Sequence, residues 1–245
     1  MKLEEYLKVI EKWLKDMLDT THMDGYVLGV SGGIDSAVVA LLAKRSVGDK
    51  LFCVILPCYS DPKDSIDAKE LLETHNIPYV EIDLSSTYDS IMNEIKSKYG
   101  EDISHLASIN TKVRLRMVTL YTIAQSRNSL VLGTDNWDES HTGYFTKYGD
   151  GGVDLLPIVN LTKGEVFEAG RILGVNESIM KRKPSAGLYA NQTDETEMGV
   201  TYDELDRYLL GEKIDDEKVK RIEHLHRVSA HKRDPLPRPS EYKRD

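Results

Sequence analysis

Residues 31–36 read Ser-Gly-Gly-Ile-Asp-Ser, and these residue types in this order could grip a polyphosphate. Two glycines let the backbone approach a ligand closely, and a helix starting just after them would aim its unpaired amides at an anion. A carboxylate beside a polyphosphate is unfavourable unless a divalent cation lies between them, so Asp35 implies Mg²⁺. The plainer alternative is a tight turn in which Asp and Ser cap a helix, but a cap does not need Ser-Gly-Gly ahead of it. The chain has neither the Gly-x-x-x-x-Gly-Lys-Ser/Thr phosphate loop nor the Gly-x-Gly-x-x-Gly dinucleotide fingerprint here.

A second stretch, residues 132–157, holds three acids (Asp135, Asp138, Glu139) and then a Gly-rich segment with Tyr144, Phe145, Lys147 and Tyr148. The acids follow a strand-like run, where a second metal ligand would have to arise to join Asp35. Lys147, among glycines and aromatics, suits a planar anionic ligand. Taken singly, each could be loop decoration.

These residues need a scaffold that brings loops together. Tyr26–Val30 is a short apolar run that reads as a buried strand, and Ser36 to Arg45 runs on as a helix. Strands are expected at Lys50–Leu56, Tyr79–Ile82, Ser129–Thr134 and Leu155–Val159. Helices are expected at Asp64–Thr74, Thr111–Ser126, Lys163–Leu173 (ended by Gly174), Tyr202–Leu210 and Glu217–Arg227. Leu3, Tyr6, Leu7, Ile10, Trp13, Leu14, Met17 and Leu18 form the stripe of an N-terminal helix. Residues 85–110 read as helical or irregular. The alternation implies an α/β fold: one doubly wound domain over residues 1–245, a mostly parallel central sheet flanked by helices, and a helical C-terminal region. Ligands of such sheets sit beyond the carboxyl ends of the strands, so the loops after Val30, Leu56, Ile82 and Gly133 should face one cleft.

Composition narrows the class. Hydrophobic residues make up 40% and charged residues 30% of the 245, ordinary for a globular chain. No apolar run is long enough to span a membrane, and Met1-Lys-Leu-Glu-Glu-Tyr opens straight into an amphipathic pattern without a signal peptide. A cytoplasmic location is expected, which two cysteines, Cys53 and Cys58, also suit. Cys58 is open to two readings, plain packing or a thiol near the nucleotide. A net charge of −9 argues against nucleic acid as a partner. The seven histidines show no metal spacing, and no Ser/His or Cys/His pair is evident, so no nucleophile or base is assigned.

Ser-Gly-Gly-Ile-Asp-Ser resembles the pyrophosphate-binding loop of the ATP pyrophosphatases, which cleave ATP to AMP and pyrophosphate while adenylating a substrate. Residues 143–157, Gly-Tyr-Phe-Thr-Lys-Tyr-Gly-Asp-Gly-Gly-Val-Asp-Leu-Leu-Pro, resemble the signature of one branch, the NAD synthetase family. Asn110-Thr-Lys-Val-Arg-Leu-Arg-Met117 is similar to that family's Arg-x-Arg-Met helix. Leu161 to Val166, Lys183 to Leu188, Gln192 to Glu195, Tyr202 to Leu205 and His231-Lys-Arg233 follow in the family's order.

The resemblance implies ATP-dependent amidation of deamido-NAD with ammonia to NAD, AMP and pyrophosphate, through an adenylated nicotinate carboxylate. It implies that Gly29, Val30, Ser31, Gly32, Gly33, Ile34, Asp35 and Ser36 hold the ATP phosphates, and that Thr134, Lys163 and Ser185 also contact ATP. Asp35 and Glu139 would bind Mg²⁺. Arg114, Lys147, Asp154, His231 and Lys232 would hold deamido-NAD. It further implies a homodimer, with the first helix and the Thr111–Ser126 helix as candidate interfaces. Glutamine-using members carry a large amide-hydrolysing domain ahead of this one. Only about 25 residues precede the first strand, too few for such a domain, so ammonia is the expected nitrogen source. Pro57-Cys-Tyr-Ser-Asp-Pro-Lys63 departs from the Gly/Gln-containing loop common in the family.

Read without the resemblance, Lys163 could be a surface lysine, Arg114 could share a solvated basic face with Lys112 and Arg116, and the His231-Lys232 tail could be disordered. Two other functions compete: a tRNA-thiolating or lysidine-forming enzyme, and a non-catalytic nucleotide sensor. The first would need catalytic cysteines or basic RNA-binding regions. The second has no reason to keep Asp35, Glu139 and Lys147 together.

Overall fold

The computed structural model describes residues 1–182 and 193–242. Its elements run α1 (Leu3–Thr21), β1 (Gly25–Gly29), α2 (Ile34–Val47), β2 (Leu51–Ile55), α3 (Pro62–Thr74), β3 (Tyr79–Glu81), α4 (Ser85–Tyr99), α5 (His105–Ser126), β4 (Ser129–Leu132) and α6 (Trp137–Thr142). They continue as α7 (Lys163–Leu173), α8 (Glu177–Met180), α9 (Asp194–Met198), α10 (Tyr202–Leu209), α11 (Asp216–Val228) and α12 (Ala230–Arg233).

The four strands pair in the order β3-β2-β1-β4, all parallel. Both neighbours of β1 therefore lie later in the chain, one on each side, and β1/β4 is the point where the winding reverses. Loops leaving β1 and β4 diverge there and open a crevice at the carboxyl edge. The central strand is buried on both faces: Tyr26, Val27 and Leu28 have no exposed surface. That is why it reads as a continuous apolar run rather than an alternation.

Each face carries its own core. Tyr26, Leu28, Cys53, Ile55 and Leu132 pack under α2, α3 and α7, with Leu7, Ile10, Leu14 and Leu18 of α1 in an outer layer. Val27, Val54 and Val131 pack under α5 through Met117, Leu120 and Ala124. Fully burying one such leucine or valine contributes about 2 kcal/mol. Tyr26 also ties α1 to the sheet, its hydroxyl donating to the Leu14 carbonyl at 2.6 Å. A third cluster (Met198, Val200, Tyr202, Leu205, Ile214, Ile222) joins the C-terminal helices.

The doubly wound α/β reading holds, with a few boundaries moved. α2 begins at Ile34, so Asp35 and Ser36 lie in its first turn. Residues 85–110 resolve into α4 and the start of α5, whose N-terminus Ser104 caps through its hydroxyl to the Ala107 amide. The strand expected at Leu155–Val159 does not form. Leu155 makes a single parallel bridge to Leu132, and the chain then turns. Pro157 supplies no amide to continue a ladder, which accounts for the break.

Candidate active site

The cleft at the carboxyl edge is lined by the segments after β1, β2 and β4, by one face of α5, and by side chains from the C-terminal third. The loop after β3, expected to join them, does not line it. The loop after β1 is closed by its own side chains. Ser36 donates to the Gly33 carbonyl at 3.0 Å and accepts from the Ser31 amide at 3.2 Å, while the Gly33 amide donates to the Ser31 hydroxyl at 3.3 Å. Gly33 is the N-cap of α2 and offers no side chain to the amides of the first turn, which leaves them for an incoming anion.

Asp35 projects from that first turn into a compact charged cluster. Lys163 Nζ lies 2.6 Å from Asp35 Oδ2 and 3.3 Å from Glu139 Oε1. Asn136, fully buried, donates from Nδ2 to Asp35 Oδ1 at 2.9 Å. It also accepts from the Glu139 amide at 3.0 Å, and its own amide donates to Glu139 Oε2 at 3.2 Å. This capping box starts α6, so one residue holds both carboxylates. Tyr202 donates to Asp194 at 2.9 Å and to Glu139 at 3.3 Å, and its ring lies under the Lys163 ammonium.

Lys163 opens α7, where Thr162 and Glu165 form a second capping box. Its amide donates to Asp138 Oδ2 at 2.8 Å, and the next amide, of Gly164, donates to Asp206 Oδ2 at 2.8 Å. Asp138 and Asp206 thus hold the N-terminus of the helix that delivers the lysine.

Burial dominates the electrostatics. It pushes Glu139 up to about 7, with Lys163 opposing and Asp35 adding to the rise. Burial pushes Asp138 up to about 8, reinforced by the charge and hydrogen bond of Asp206. Asp135 is raised well above the usual carboxylate range by burial and then by Asp150, Glu139 and Asp35. Lys163 moves the other way from what burial dictates: Asp35 and Glu139 raise it, so it stays an ammonium. Carboxylates crowded in low dielectric around one cation are poised for a further positive charge.

That cation fits a metal. Asp35 and Glu139, from different elements, aim oxygens at the same ammonium beside the phosphate loop. Mg²⁺ in phosphate sites is commonly held by one or two carboxylates plus phosphate oxygens and water. Among the described residues no group of three or more His, Cys, Asp or Glu is arranged to hold a metal, so phosphate oxygens and water would complete the shell.

Of the residues singled out in the sequence, Gly29, Val30, Ser31, Gly33, Ile34, Asp35, Ser36, Thr134, Glu139 and Lys163 line this cleft. Gly32 is in the same loop, its Cα packed against the backbone of Asp64. Ser185 falls outside the described residues. Arg114, Lys147, Asp154, His231 and Lys232 gather around residues 143–154 instead. Arg114 Nε donates to the Lys147 carbonyl at 3.3 Å, and Lys147 Nζ donates to the His231 carbonyl. Lys232 Nζ donates to the carbonyls of Gly143 and Phe145 at 2.7 and 2.6 Å, so the tail is docked. Asp154 accepts from the Val131 amide at 2.7 Å and from the Tyr121 hydroxyl at 3.0 Å.

The sequence assigned no role to Asn136, nor to Asp194 and Tyr202, which stood only within stretches that follow the family's order. It also left Arg116, which lines the cleft, as a possible solvated cation. Asn136 had a local signal, an N-cap asparagine three residues before a glutamate. The others are joined to the site only by the fold. Cys58 is buried, and burial pushes its thiol up, which favours packing over a reactive thiolate.

The NAD synthase family model matches residues 6–243. The NH₃-dependent NAD⁺ synthetase of Mesoplasma florum is 49% identical over 245 residues, covering 100% of both chains. Among solved structures, NMN synthetase from Francisella tularensis matches with a TM-score of 0.93 at 40% identity, covering 98% of this chain and 100% of that one. The NH₃-dependent NAD synthetase from Campylobacter jejuni matches with a TM-score of 0.80 at 28% identity, covering 98% and 100%.

Proposed function

The chain belongs to the NAD synthase family, and from that membership we propose that it uses ATP to amidate the nicotinate carboxylate of deamido-NAD with ammonia, giving NAD, AMP and pyrophosphate. The observation that carries the reading is the meeting of the phosphate loop, Asp35, Glu139 and Lys163 in one cleft at the switch point of the sheet.

The nicotinate carboxylate oxygen attacks the α-phosphorus of ATP, and pyrophosphate leaves. Ammonia then attacks the acyl carbon, AMP leaves with the bond electrons, and the nitrogen gives up a proton. The chain supplies positioning and charge rather than a nucleophile. Residues 29–36 cradle the phosphates with backbone amides and the hydroxyls of Ser31 and Ser36. Lys163 turns its ammonium from the carboxylates to the phosphate oxygens. Asp35 and Glu139 would hold Mg²⁺, which when bound would neutralise phosphate charge and ease departure of pyrophosphate. Thr134 completes the ATP contacts within the described residues. Arg114, Lys147, Asp154, His231 and Lys232 form the side that receives deamido-NAD.

A single incubation tests this. The protein, ATP, Mg²⁺, deamido-NAD and ammonium should yield NAD, AMP and pyrophosphate by chromatography. ADP and phosphate as products, or turnover indifferent to deamido-NAD, would overturn it.

One observation favours a second reading of the substrate. The structural match to the NMN synthetase is closer than that to the Campylobacter jejuni NAD synthetase, in both TM-score and identity, although the Mesoplasma florum NAD⁺ synthetase is more similar in sequence than either. Amidation of the mononucleotide is the same chemistry on a smaller substrate. The ratio of kcat/KM for the two deamido substrates, measured side by side, decides between them.

The reading includes a homodimer in the cytoplasm. Leu106 and Val118 on α5 are large apolar residues left exposed, as an interface helix would leave them. Among the described residues no helix is long and apolar enough to cross a membrane. Light scattering on the active enzyme checks the dimer.

A further inference from the structure

Among the described residues three cations line the cleft, and two of them are already matched to acids. Lys163 pairs with Asp35 and Glu139, and Arg182 with Asp64 and Asp67. Arg116, on α5, has no carboxylate within 4.0 Å among the described residues. Its guanidinium is instead fixed by two neutral acceptors. Nε donates to the Leu56 carbonyl at 2.9 Å and Nη2 to the Ser60 hydroxyl at 3.1 Å.

Those bonds brace the segment after β2 but leave the charge unanswered. Burial presses on that charge, lowering the arginine from its ordinary value, with only Cys58, Asp150 and Asp64 opposing at longer range. Asp64 could have been the counter-ion, but Arg182 takes it. A half-buried cation without a partner is unfavourable, and a brace alone does not require one, because neutral donors would serve. Arg116 lines the cleft together with Val113, Met117, Leu56 and Pro57, and only two of its five N–H donors are used in those bonds. A guanidinium anchored at two donors still has N–H groups to offer a phosphate in a fork.

We propose that Arg116 is a phosphate-binding residue of this cleft, whose missing counter-ion is a phosphate of a bound nucleotide. The proposal rests on the reaction proposed above, which brings two phosphorylated ligands, ATP and the deamido nucleotide, into the cleft.

The test compares R116Q, R116K and S60A in the full-length protein, with KM measured separately for ATP and for the deamido nucleotide. S60A removes only the hydroxyl acceptor and sets what losing part of the brace does. R116Q should raise KM for one nucleotide by about tenfold or more, beyond any change in S60A, with kcat altered much less. Which KM moves names the phosphate. R116K keeps the charge without the fork and should fall between wild type and R116Q, so it carries the test if R116Q folds poorly. AMP and pyrophosphate serve as probes without turnover: wild type should melt higher with at least one, and R116Q should lose that gain. If R116Q and S60A change KM alike, or if R116Q keeps both ligand-induced gains, Arg116 is a brace and the proposal fails. Absence of amidation in wild type would count against the reaction, while the melting measurements would still decide the role of Arg116.

Discussion

Lys163 Nζ and Asp35 Oδ2, far apart in sequence, sit 2.6 Å apart at the bottom of the cleft, and the same ammonium reaches Glu139 at 3.3 Å. A metal ion held by those carboxylates and this ammonium would compete for the same oxygens, so the cation should bind well only when phosphates draw the lysine away. Lys163→Met should therefore bind Mn²⁺ without nucleotide at least about tenfold more tightly than wild type, read from free Mn²⁺ by electron paramagnetic resonance. In metal-free buffer the same variant should lose about 3 kcal/mol of stability, because two nearly buried carboxylates lose their partner. Equal Mn²⁺ binding by both proteins would show that the lysine does not stand in the cation's place.

Asn136 ties Asp35 and Glu139 together from the other side. Asn136→Ala removes a helix cap and leaves Asp35 Oδ1 without that donor inside the protein. A stability loss of about 2 kcal/mol is expected in urea unfolding. Turnover should fall by more than the stability loss explains, since both carboxylates lose their orientation. Asn136→Asp keeps a capping acceptor but sets a third negative charge against Asp35, so it should not restore turnover. Recovery of activity in the aspartate variant would mean that the cap alone matters.

Asp138 links the cleft to pH. Its folded value is about 8 against an ordinary 3.8, so the folded chain keeps a proton that the unfolded chain releases. The resulting stabilisation is complete below about pH 4 and is lost as pH rises through about 8. Glu139, raised to about 7, acts in the same direction. Ligand-free protein should therefore be less stable at pH 8.5 than at pH 6 in urea titrations. Asp138→Asn cannot ionise, yet its amide can donate to Asp206 and its carbonyl can accept from Lys163. That variant should lose a large part of the slope, and an unchanged slope would remove Asp138 as its source.

How much of this was readable in advance follows from the range of each interaction. The helix from Lys163 to Leu173 was legible because its signals are local: an apolar stripe and Gly174, which takes φ +86° as its C-cap. Parallel pairing followed from strands separated by helices. The phosphate loop was legible because glycines and an acid adjoin one another in six residues. The roles of Tyr202 and Arg116 were not, since Tyr202 meets Glu139 and Lys163, and Arg116 the cleft, from elements whose own pattern only reports burial. Lys163 could equally have been a surface lysine, and only the packing of α7 against α2 makes it a buried counter-ion. The failed strand at Leu155 shows the opposite error, in which an apolar run was read without weighing the missing amide of Pro157.

Gly32 tests whether the loop must approach its neighbour as closely as it does. Its φ is +80°, and a Cβ there would stand 2.4 Å from the Asp64 carbonyl oxygen. Alanine would meet two obstacles, a left-handed backbone unfavourable by about 1 kcal/mol and a clash with backbone that cannot rotate aside. The loop would have to lift away from α3, and the amides at the start of α2 would lose their aim. Gly32→Ala should weaken ATP binding by about tenfold or more in calorimetry, with a stability loss of about 2–3 kcal/mol. Gly174→Ala is the matched control, because Gly174 also has positive φ but nothing within 4 Å of its added Cβ. It should lose about 1 kcal/mol and bind ATP as wild type does. Equal ATP affinity in the two variants would show that backbone strain, rather than the close approach of loop and α3, governs this position.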